Sequence, residues 1–240
     1  MCIRDRFGTQ AVTQRGELAL WPVDPTTTDT ERAKWGLAPL LRLQEQLSEA
    51  AVADKQTLRG ALRRRRAELS AGARAEAAVQ LQERGVEALG ARCAGKVVAA
   101  YWPLPDELDP RPLARALSSG HGARLSLPVV EGEEMAFRSW EGDAALRPAG
   151  FGTLGPGPDA PALRPDVVLA PLVGCDRRGG RLGQGKGCYD RALARIDADG
   201  GVLVVGVAFS CQLVAAVPTD AHDRPLDAVL TEREWIALSA

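Results

Sequence analysis

Histidine is nearly absent from this chain, since His121 and His222 are the only two among 240 residues. Two histidines provide few ligands for a histidine-rich metal site and few candidates for the histidine of a Ser-His-Asp triad. The cysteines number five, which is odd, and no two form a C-x-x-C pair, so structural zinc is disfavoured and reduced thiols in a cytosol are expected. They are Cys2, Cys93, Cys175, Cys188 and Cys211.

An excess of charge is also missing, because 30 basic residues against 31 acidic ones give a formal net charge of −1. Without a basic field the chain has no general attraction for nucleic acid or anionic membranes, so we expect neither as a partner. No apolar run approaches the roughly 20 residues of a membrane-spanning helix, and the N-terminus lacks a signal-peptide pattern. We therefore expect a cytoplasmic protein that holds any anionic ligand by local charge.

The first 53 residues differ from the rest of the chain. Residues 8–36 show no sustained period and contain Pro, Thr and Gly breakers, and the opening MCIRDR resembles translated sequencing-adapter sequence. The pattern allows a short helix from about Leu37 to Ala53. We therefore predict an N-terminal extension over residues 1–53, poorly ordered or artefactual, and one domain over residues 54–240.

Helical and strand patterns alternate from Lys55 onward. Leu58, Leu62 and Leu69 fall near helical spacing, and a second helix is predicted to begin after Ser70 as its N-cap. Strands alternating with helices are typical of βαβ units, so we predict an α/β protein, a three-layer α/β/α sandwich with a mostly parallel central sheet. The predicted strands are 96–102, 123–130, 135–140, 166–173, 202–209 and a short one at 228–232.

Helix signals and breakers place the connections between these strands. Asp109 is expected to cap a helix that has Pro110 at its first position and closes at Gly120. Residues 142–165 are so rich in Gly and Pro that we expect a loop throughout. Another helix should begin at about Tyr189.

The most informative segment is the glycine-rich loop CDRRGGRLGQGKGCYDR, residues 175–191, between a predicted buried strand and a predicted helix. Its glycines remove side chains that would keep the backbone from a ligand, so successive N–H groups can face phosphate oxygens. At the carboxyl end of a parallel strand, it lies where open α/β sheets bind ligands. A flexible turn is the alternative for a glycine cluster taken alone. The glycines are Gly179, Gly180, Gly183, Gly185 and Gly187.

Two known phosphate-binding motifs are similar to this loop, but neither fits. Residues 183–187 spell G-x-G-x-G rather than the G-x-G-x-x-G of dinucleotide-binding folds. Residues 180–186 spell the G-x-x-x-x-G-K of a Walker A motif, but Gly187 stands where that motif has the Ser or Thr that binds magnesium. The metal of a bound nucleotide would then need carboxylates from elsewhere, and Asp190 is close in sequence.

Four short segments of the chain, called stations below, resemble segments of one enzyme family. RLGQGKGCYDR is similar to the R-x-G-x-G-x-G-Y-Y-D signature of the 5-formyltetrahydrofolate cyclo-ligases. The other three stations follow the family's order: K-x-x-L-R at Lys55 to Arg59, WPLPDELD after the first predicted strand, and HDRPLDAVLTE near the C-terminus. Together they span residues 55–232, so one chance match does not explain them.

The resemblance implies both a fold and a reaction. The fold is the NagB/RpiA/CoA transferase-like one. The reaction is the ATP-dependent cyclisation of 5-formyltetrahydrofolate, with or without a polyglutamate tail, to 5,10-methenyltetrahydrofolate, with release of ADP and phosphate, through a phosphorylated formyl intermediate. The implied cofactor is Mg²⁺, ATP is the co-substrate, and a monomer is expected.

Family roles carry over to individual residues. The implied magnesium-binding carboxylates are Asp190 and Asp223, and Lys186 and Arg181 are the implied catalytic residues, which would offset charge on the transferring group. The implied ATP-binding residues are Lys55, Arg59, Arg181, Leu182, Gly183, Gln184, Gly185, Lys186, Gly187, Cys188 and Tyr189. The implied folate-binding residues are Trp102, Glu107, Gln184, Gly185, Lys186, Gly187 and Cys188.

Some of these residues alone would support simpler interpretations. Lys55 and Arg59 share one helix face and could clamp a polyphosphate, but a lone i,i+4 pair is more often two solvated charges. The run Arg63–Arg66 matches nothing in the family, and we predict a mainly solvated face. Cys188 and Cys175 replace residues that are usually aromatic in the family, and Cys188 is expected to weaken stacking on the folate.

Two other classes of function stay open. A protein of the same fold could bind folate or nucleotide without turnover, and related folds host sugar-phosphate isomerases and CoA transferases. The arginines at 63–66 could bind nucleic acid, but the near-neutral charge and the lack of an RNA-binding motif speak against it. Intact Asp190, Asp223 and Lys186 favour an enzyme, because a site without turnover would be free to lose them.

Overall fold

The computed structural model describes residues 11–14, 17–20, 30, 40–132, 134–141, 145–198, 201–220 and 223–238. Four α-helices lie in these ranges: α1 (Leu40–Ala67), α2 (Ala71–Cys93), α3 (Arg111–His121) and α4 (Cys188–Ala198). The strands are β1 (Ala11–Gln14), β2 (Glu17–Leu20), β3 (Val97–Ala99), β4 (Arg124–Glu131), β5 (Glu134–Ser139), β6 (Arg147–Pro148), β7 (Leu154–Gly155), β8 (Val167–Pro171), β9 (Gly174–Asp176), β10 (Arg181–Leu182), β11 (Leu203–Val207), β12 (Leu213–Val214), β13 (Ala228–Leu230) and β14 (Trp235–Ala237). Within the described part of the chain, no helix is long and apolar enough to cross a membrane.

A seven-stranded sheet forms the centre of the fold. Its order is β14-β13-β11-β8-β3-β4-β5. The five inner strands pair in parallel, and the two edge strands β14 and β5 pair antiparallel to their neighbours. The predicted mostly parallel sheet is therefore confirmed.

Both faces of this sheet are covered by helices. Val98, Leu169 and Val205 point to one face, where they pack in a cluster with α2 and α3. Their chain neighbours Val168 and Val204 point to the other face, where they pack with α4. Strands buried on both faces have to be continuously apolar, which explains their sequences. The predicted three-layer arrangement is confirmed.

Most predicted elements are present, with shifted ends. Ser70 caps α2 as predicted, since its Oγ accepts a hydrogen bond of 3.1 Å from the N–H of Ala73. The helix predicted to start at Pro110 begins one residue later, with Pro110 at the N-cap. It ends at His121 rather than at Gly120, because Gly122 takes the left-handed conformation that closes it.

Three sequence predictions need correction. The helix predicted from about Leu37 to Ala53 is instead the first part of a longer helix, α1. The predicted domain boundary at residue 54 stays a prediction, and residues 1–10, 15–16, 21–29 and 31–39 lie outside the described ranges. The region predicted as loop from 142 to 165 contains the paired strands β6 and β7. The edge strand β14 was not predicted, because its three residues lack an alternating pattern long enough to recognise.

Candidate active site

One cavity of about 650 Å³ opens beyond the carboxyl ends of two neighbouring sheet strands. Tyr101 and Trp102 follow β3 into its wall, and Pro171 ends β8 there. This edge is where open α/β sheets bind ligands. Every residue that the sequence predicted for the site lines this cavity: Lys55, Arg59, Trp102, Glu107, Arg181, Leu182, Gly183, Gln184, Gly185, Lys186, Gly187, Cys188, Tyr189, Asp190 and Asp223.

The glycine-rich segment is a hairpin followed by a loop, so the predicted continuous loop is wrong in its first half. Strands β9 and β10 pair antiparallel. Their turn is built on the buried carboxylate of Asp176, which accepts hydrogen bonds of 2.8 Å from the N–H of Arg178 and 2.9 Å from that of Gly180. The same carboxylate accepts a bond of 2.7 Å from the N–H of Val217. Asp176 thus joins the start of the loop to the segment leading to Asp223.

The second half of the segment, residues 183–187, faces the cavity and is held by α1. Arg59 Nε donates a hydrogen bond of 2.8 Å to the carbonyl of Gly183, and Arg63 Nη2 donates one of 2.5 Å to Gln184 Oε1. Gly185 has a backbone φ of +96°, which residues other than glycine rarely adopt. Burial and the nearby Arg63 charge lower the pKa of Arg59. Two arginines that also line the cavity therefore hold this part of the loop.

Lys55 forms ion pairs with two carboxylates at one end of the cavity. Its Nζ lies 2.5 Å from Asp220 Oδ2 and 2.7 Å from Asp223 Oδ2, and its side chain is 9% exposed. Burial lowers the pKa of Lys55, but the hydrogen bonds and charges of the two aspartates outweigh it, so the pKa is raised. The sequence analysis missed Asp220, although its place three residues before Asp223 was a signal for a second carboxylate.

Arg181 and Asp190 form a second ion pair at the same end. The Arg181 side chain is 4% exposed, and among the described residues its Nε has no hydrogen-bond partner. Asp190 Oδ1 also accepts a bond of 3.4 Å from the N–H of Arg224, the residue after Asp223. The predicted metal carboxylates therefore lie in one part of the cavity, each beside a cation.

Carboxylate oxygens are the ligands that Mg²⁺ prefers, so Asp190 and Asp223 fit this ion. The described residues contain no group of three or more His, Cys, Asp or Glu side chains placed to hold a metal. In proteins, Mg²⁺ is commonly bound through one or two carboxylates plus substrate phosphates and water.

Glu107 provides the acidic group at the other end. Its side chain is 7% exposed, and its Oε2 accepts a hydrogen bond of 3.0 Å from the N–H of Leu104. Gln184 Nε2 donates one of 3.3 Å to its Oε1. Burial raises the pKa of Glu107, against the opposing effects of the Leu104 hydrogen bond and the Arg66 charge. Burial likewise raises the pKa of Tyr189.

An apolar wall lies between these two ends, and the sequence analysis missed it. It includes Phe151, whose ring centroid lies 3.9 Å from Lys186 Nζ, a cation–π contact. Phe151 has a φ of +51° and a half-exposed side chain. The other apolar members are Leu104, Pro128, Val130, Met135 and Ala149. A flat aromatic ligand with a polar edge suits such a cavity.

The cavity combines the residues of all four sequence stations, and the family comparison agrees. The model of the 5-formyltetrahydrofolate cyclo-ligase family matches residues 51–232. The chain belongs to the 5-formyltetrahydrofolate cyclo-ligase family. The predicted family and the prediction of a ligase are thereby confirmed.

Curated members of the cyclo-ligase family match over most of their length. The 5-formyltetrahydrofolate cyclo-ligase of Haemophilus influenzae is 28% identical over 183 residues, which cover 73% of this chain and 96% of the relative. That of Escherichia coli K12 is 34% identical over 148 residues, which cover 58% of this chain and 80% of the relative.

Solved structures of cyclo-ligases share the fold. The 5,10-methenyltetrahydrofolate synthetase of Aquifex aeolicus has a TM-score of 0.64 and 34% identity, and the match covers 78% of this chain and 93% of that one. The synthetase of Mycoplasma pneumoniae has a TM-score of 0.61 at 23% identity, covering 75% of this chain and 99% of that one, which shows the fold alone.

The two cysteines that depart from the family pattern differ in position. Cys188 lines the cavity, with its Sγ 3.7 Å from the carbonyl of Lys186 and 3.7 Å from Arg191 Nη2. Cys175 is buried in the core on the α4 face, where burial raises its pKa to about 12. The cysteines described here, Cys93, Cys175, Cys188 and Cys211, are all free thiols. Only Cys188 of the two departures therefore bears on a ligand in the cavity.

The arginine run at 63–66 is mainly solvated, as predicted, with one exception. Arg63, Arg64 and Arg65 are exposed, but Arg66 is buried. A solvated face was therefore the wrong prediction for Arg66, which points away from the surface.

Proposed function

We propose that this chain catalyses the ATP-dependent cyclisation of 5-formyltetrahydrofolate to 5,10-methenyltetrahydrofolate, with release of ADP and phosphate. One observation carries the proposal: a single cavity has a cationic end suited to a triphosphate and an acidic, partly apolar end suited to a pterin. Lys55 and Arg59 lie at the first end and Glu107 and Trp102 at the second, while Lys186 contacts Phe151 of the wall between them. The activity named for the relatives of Haemophilus influenzae and Escherichia coli supports it.

The proposed chemistry transfers a phosphoryl group before the ring closes. The formyl oxygen at N5 attacks the γ-phosphorus of ATP, and the bond to ADP breaks. N10 then attacks the activated formyl carbon. The carbon–oxygen bond breaks, phosphate leaves with the N10 proton, and the methenyl bridge forms as an amidinium. Phosphorylation is needed because an amide oxygen is otherwise a poor leaving group.

Cations of the cavity have a defined task in this reaction. Phosphoryl transfer requires placement and charge neutralisation rather than a protein nucleophile. In this proposal, Lys186 and Arg181 offset charge that develops on the transferring group. Lys55 and Arg59 hold the triphosphate, and the loop N–H groups from Gly183 onward bind its oxygens.

At the folate end, recognition relies on Glu107 and the rings around it. The N–H groups of the amino-pyrimidine edge are donors, and a carboxylate is an acceptor. Trp102 lines this end, and its ring centroid lies 4.3 Å from Arg111 Cζ. Asp190 and Asp223 would hold Mg²⁺ in the proposed complex, where the ion would neutralise charge on the phosphates.

A spectrophotometric assay of purified protein tests the proposal. With 5-formyltetrahydrofolate, ATP and Mg²⁺ present, the absorbance of 5,10-methenyltetrahydrofolate should rise, and omission of any one component should abolish the rise. Phosphate release measured in parallel should match product one to one. A protein that binds both substrates without forming product would be a binding module, and the proposal would be rejected.

Cytoplasmic location, a monomeric state and the absence of nucleic-acid partners belong to the same proposal. Gel filtration coupled to light scattering gives the mass of the particle, and filter binding at two salt concentrations tests nucleic acid. A stable dimer or salt-sensitive nucleic-acid binding would contradict the respective part.

A further inference from the structure

Arg66 lies on the buried face of α1 although it ends a run of four arginines. Its side chain is 3% exposed, whereas the three arginines before it are exposed. Helical geometry explains the difference, because Arg66 follows the fully buried Leu62 by four residues and therefore shares its face. Arg59 lies three residues before Leu62 and Lys55 seven, so both share that face. One face of α1 thus carries Lys55 and Arg59, which line the cavity, and Arg66, which lies beside Glu107.

Arg66 is fixed against the loop that carries the acidic end of the cavity. Its Nε and Nη2 donate hydrogen bonds of 3.0 Å and 2.7 Å to Asp106 Oδ2. Its Nη1 lies 3.8 Å from Glu107 Oε1. This Nη1 is buried and has no hydrogen-bond partner among the residues that the structure describes. A buried donor without a partner is costly, so its approach to Glu107 needs a reason.

The surroundings of Glu107 show what the guanidinium does. Arg66 faces it from α1, Asp106 from its own loop, and Gln184 from the glycine loop. The phenols of Tyr101 and Tyr189 are also near enough for Glu107 to raise their pKa values. Arg66 is thus the cation among these groups, and Asp106 opposes it.

We propose that Arg66 is a positioning residue for folate recognition, which holds the Glu107 carboxylate in place and keeps it ionised at the pterin end of the cavity. The proposal rests on the proposed function, in which Glu107 pairs with pterin N–H groups. An ionised carboxylate only accepts hydrogen bonds, whereas a protonated one presents an O–H. A protonated Glu107 would therefore set a donor against the donors of the pterin. Arg66 acts through Glu107 and does not touch the substrate.

The test compares Arg66→Met and Arg66→Lys with the wild type and with a matched control, Arg65→Met. Arg65 is exposed and lies in the same last turn of α1, so its loss removes an equal charge from the helix end. The measurements are kcat, the KM for 5-formyltetrahydrofolate and the KM for ATP from about pH 4 to about pH 9, a range that begins near the ordinary pKa of a glutamate.

We expect Arg66→Met to raise the KM for 5-formyltetrahydrofolate about tenfold or more, as for one lost interaction with a charged group. The KM for ATP should change little, and Arg66→Lys should recover part of the loss. Without Arg66 the pKa of Glu107 is higher, so the acid limb of kcat/KM for the folate should move to higher pH. The control should match the wild type. An unmoved limb, or equal rises in both KM values, would overturn the proposal.

A second variant keeps the test decisive if Arg66→Met fails to fold. Asp106 raises the pKa of Glu107, and it is the other partner of Arg66. Asp106→Asn should therefore move the acid limb to lower pH, opposite to Arg66→Met. A limb that stays in place or moves to higher pH contradicts the assignment.

Calorimetric binding of 5-formyltetrahydrofolate separates this proposal from the proposed function. If the wild type binds the folate without forming product, the proposed function fails, and the pH dependence of binding in the same variants still decides the role of Arg66. If the wild type does not bind the folate, both are rejected.

Discussion

Asp176 and Val217 lie 41 residues apart in sequence, and the Asp176 carboxylate accepts a hydrogen bond of 2.7 Å from the Val217 N–H. The other carboxylate oxygen holds the turn that begins the glycine loop. One buried side chain therefore fixes two segments of the cationic end relative to each other.

Asp176→Asn should weaken this link, because an amide offers a single acceptor oxygen and sets an N–H₂ donor against one group of backbone donors. We expect the free energy of unfolding to fall by about 1–3 kcal/mol, the cost of a buried group without a partner. The KM for ATP should rise more than the KM for the folate. Urea unfolding and steady-state kinetics measure both, with exposed Asp159→Asn as the control. A lower free energy of unfolding with unchanged KM values would mean that Asp176 stabilises the fold and has no part in ATP binding.

Lys186→Ala should reduce turnover more than substrate binding, because the ammonium acts on charge that develops during transfer. The expected loss is about 2–4 kcal/mol of transition-state stabilisation, the range for one preorganised donor. Lys186→Arg should restore only part, since a planar fork does not replace a compact charge in a narrow loop. Turnover is compared with equilibrium affinities for the folate and a non-hydrolysable ATP analogue. Exposed Lys96→Ala is the control, and a loss confined to nucleotide affinity would make Lys186 a binding residue.

Asp190→Asn and Asp223→Asn should each raise the Mg²⁺ concentration needed for half-maximal turnover. Asp223 also pairs with Lys55, so its substitution alone does not separate the two roles. Asp220→Asn is the matched variant, because it shares the Lys55 contact and is not predicted to hold the metal. We expect it to leave the Mg²⁺ titration near that of the wild type. If Asp220→Asn and Asp223→Asn give the same Mg²⁺ titration, the change in Mg²⁺ requirement is due to the lost contact with Lys55 and not to a lost metal ligand.

Thiol alkylation should distinguish Cys188 from the core cysteines. Burial raises the pKa of Cys93 to about 11 and that of Cys175 to about 12. Iodoacetamide reacts with thiolates, so at about pH 8 both should stay unmodified in the native protein and become reactive only as the pH rises toward those values. Cys188 should react before Cys93 and Cys175, and saturating 5-formyltetrahydrofolate should slow its reaction. Peptide mass spectrometry reads the sites, with unfolded protein as the reference. Equal rates at Cys175 and Cys188 would contradict the assignment.

Removal of residues 1–50 should leave fold and activity intact. The family match begins at residue 51, and among the α1 side chains that the structure describes, from residue 54 onward, Lys55 is the first that lines the cavity. The shortened helix would still begin a full turn before Lys55. Soluble yield, thermal unfolding and turnover of the shortened protein are compared with the full chain. Loss of most of the activity would show that the early part of α1 belongs to the domain.

Continuous apolar strands and the glycine loop were the parts most readily predicted from sequence. Residues 166–173 and 202–209 had to be buried strands because nothing polar interrupts them, and β8 and β11 lie there. The site residues were found through four linear motifs whose members the fold brings to one cavity. Asp220 and Phe151 belong to no such motif, and only the tertiary structure places them beside Lys55 and Lys186.

Arg66 shows why charge patterns alone mislead. Four consecutive arginines look like one solvated surface, yet consecutive helical residues point about 100° apart, so at least one of them tends to face inward. Which one does so depends on the phase of the helix. The buried Leu62 gives that phase, but the long charged run obscured it.

The spacing of the residues on the buried face of α1 fixes a distance in the site. The residues of this face follow one another at intervals of four, three and four residues: Lys55, Arg59, Leu62 and Arg66. The helix therefore sets the spacing of these side chains along its axis. Its length from Lys55 to Arg66 is about 16.5 Å at the standard rise per residue. One inserted residue would rotate every later cation by about 100° and swing Arg66 into solvent. The register of this helix therefore sets how far apart the cations near the phosphate end and the cation beside Glu107 lie along α1.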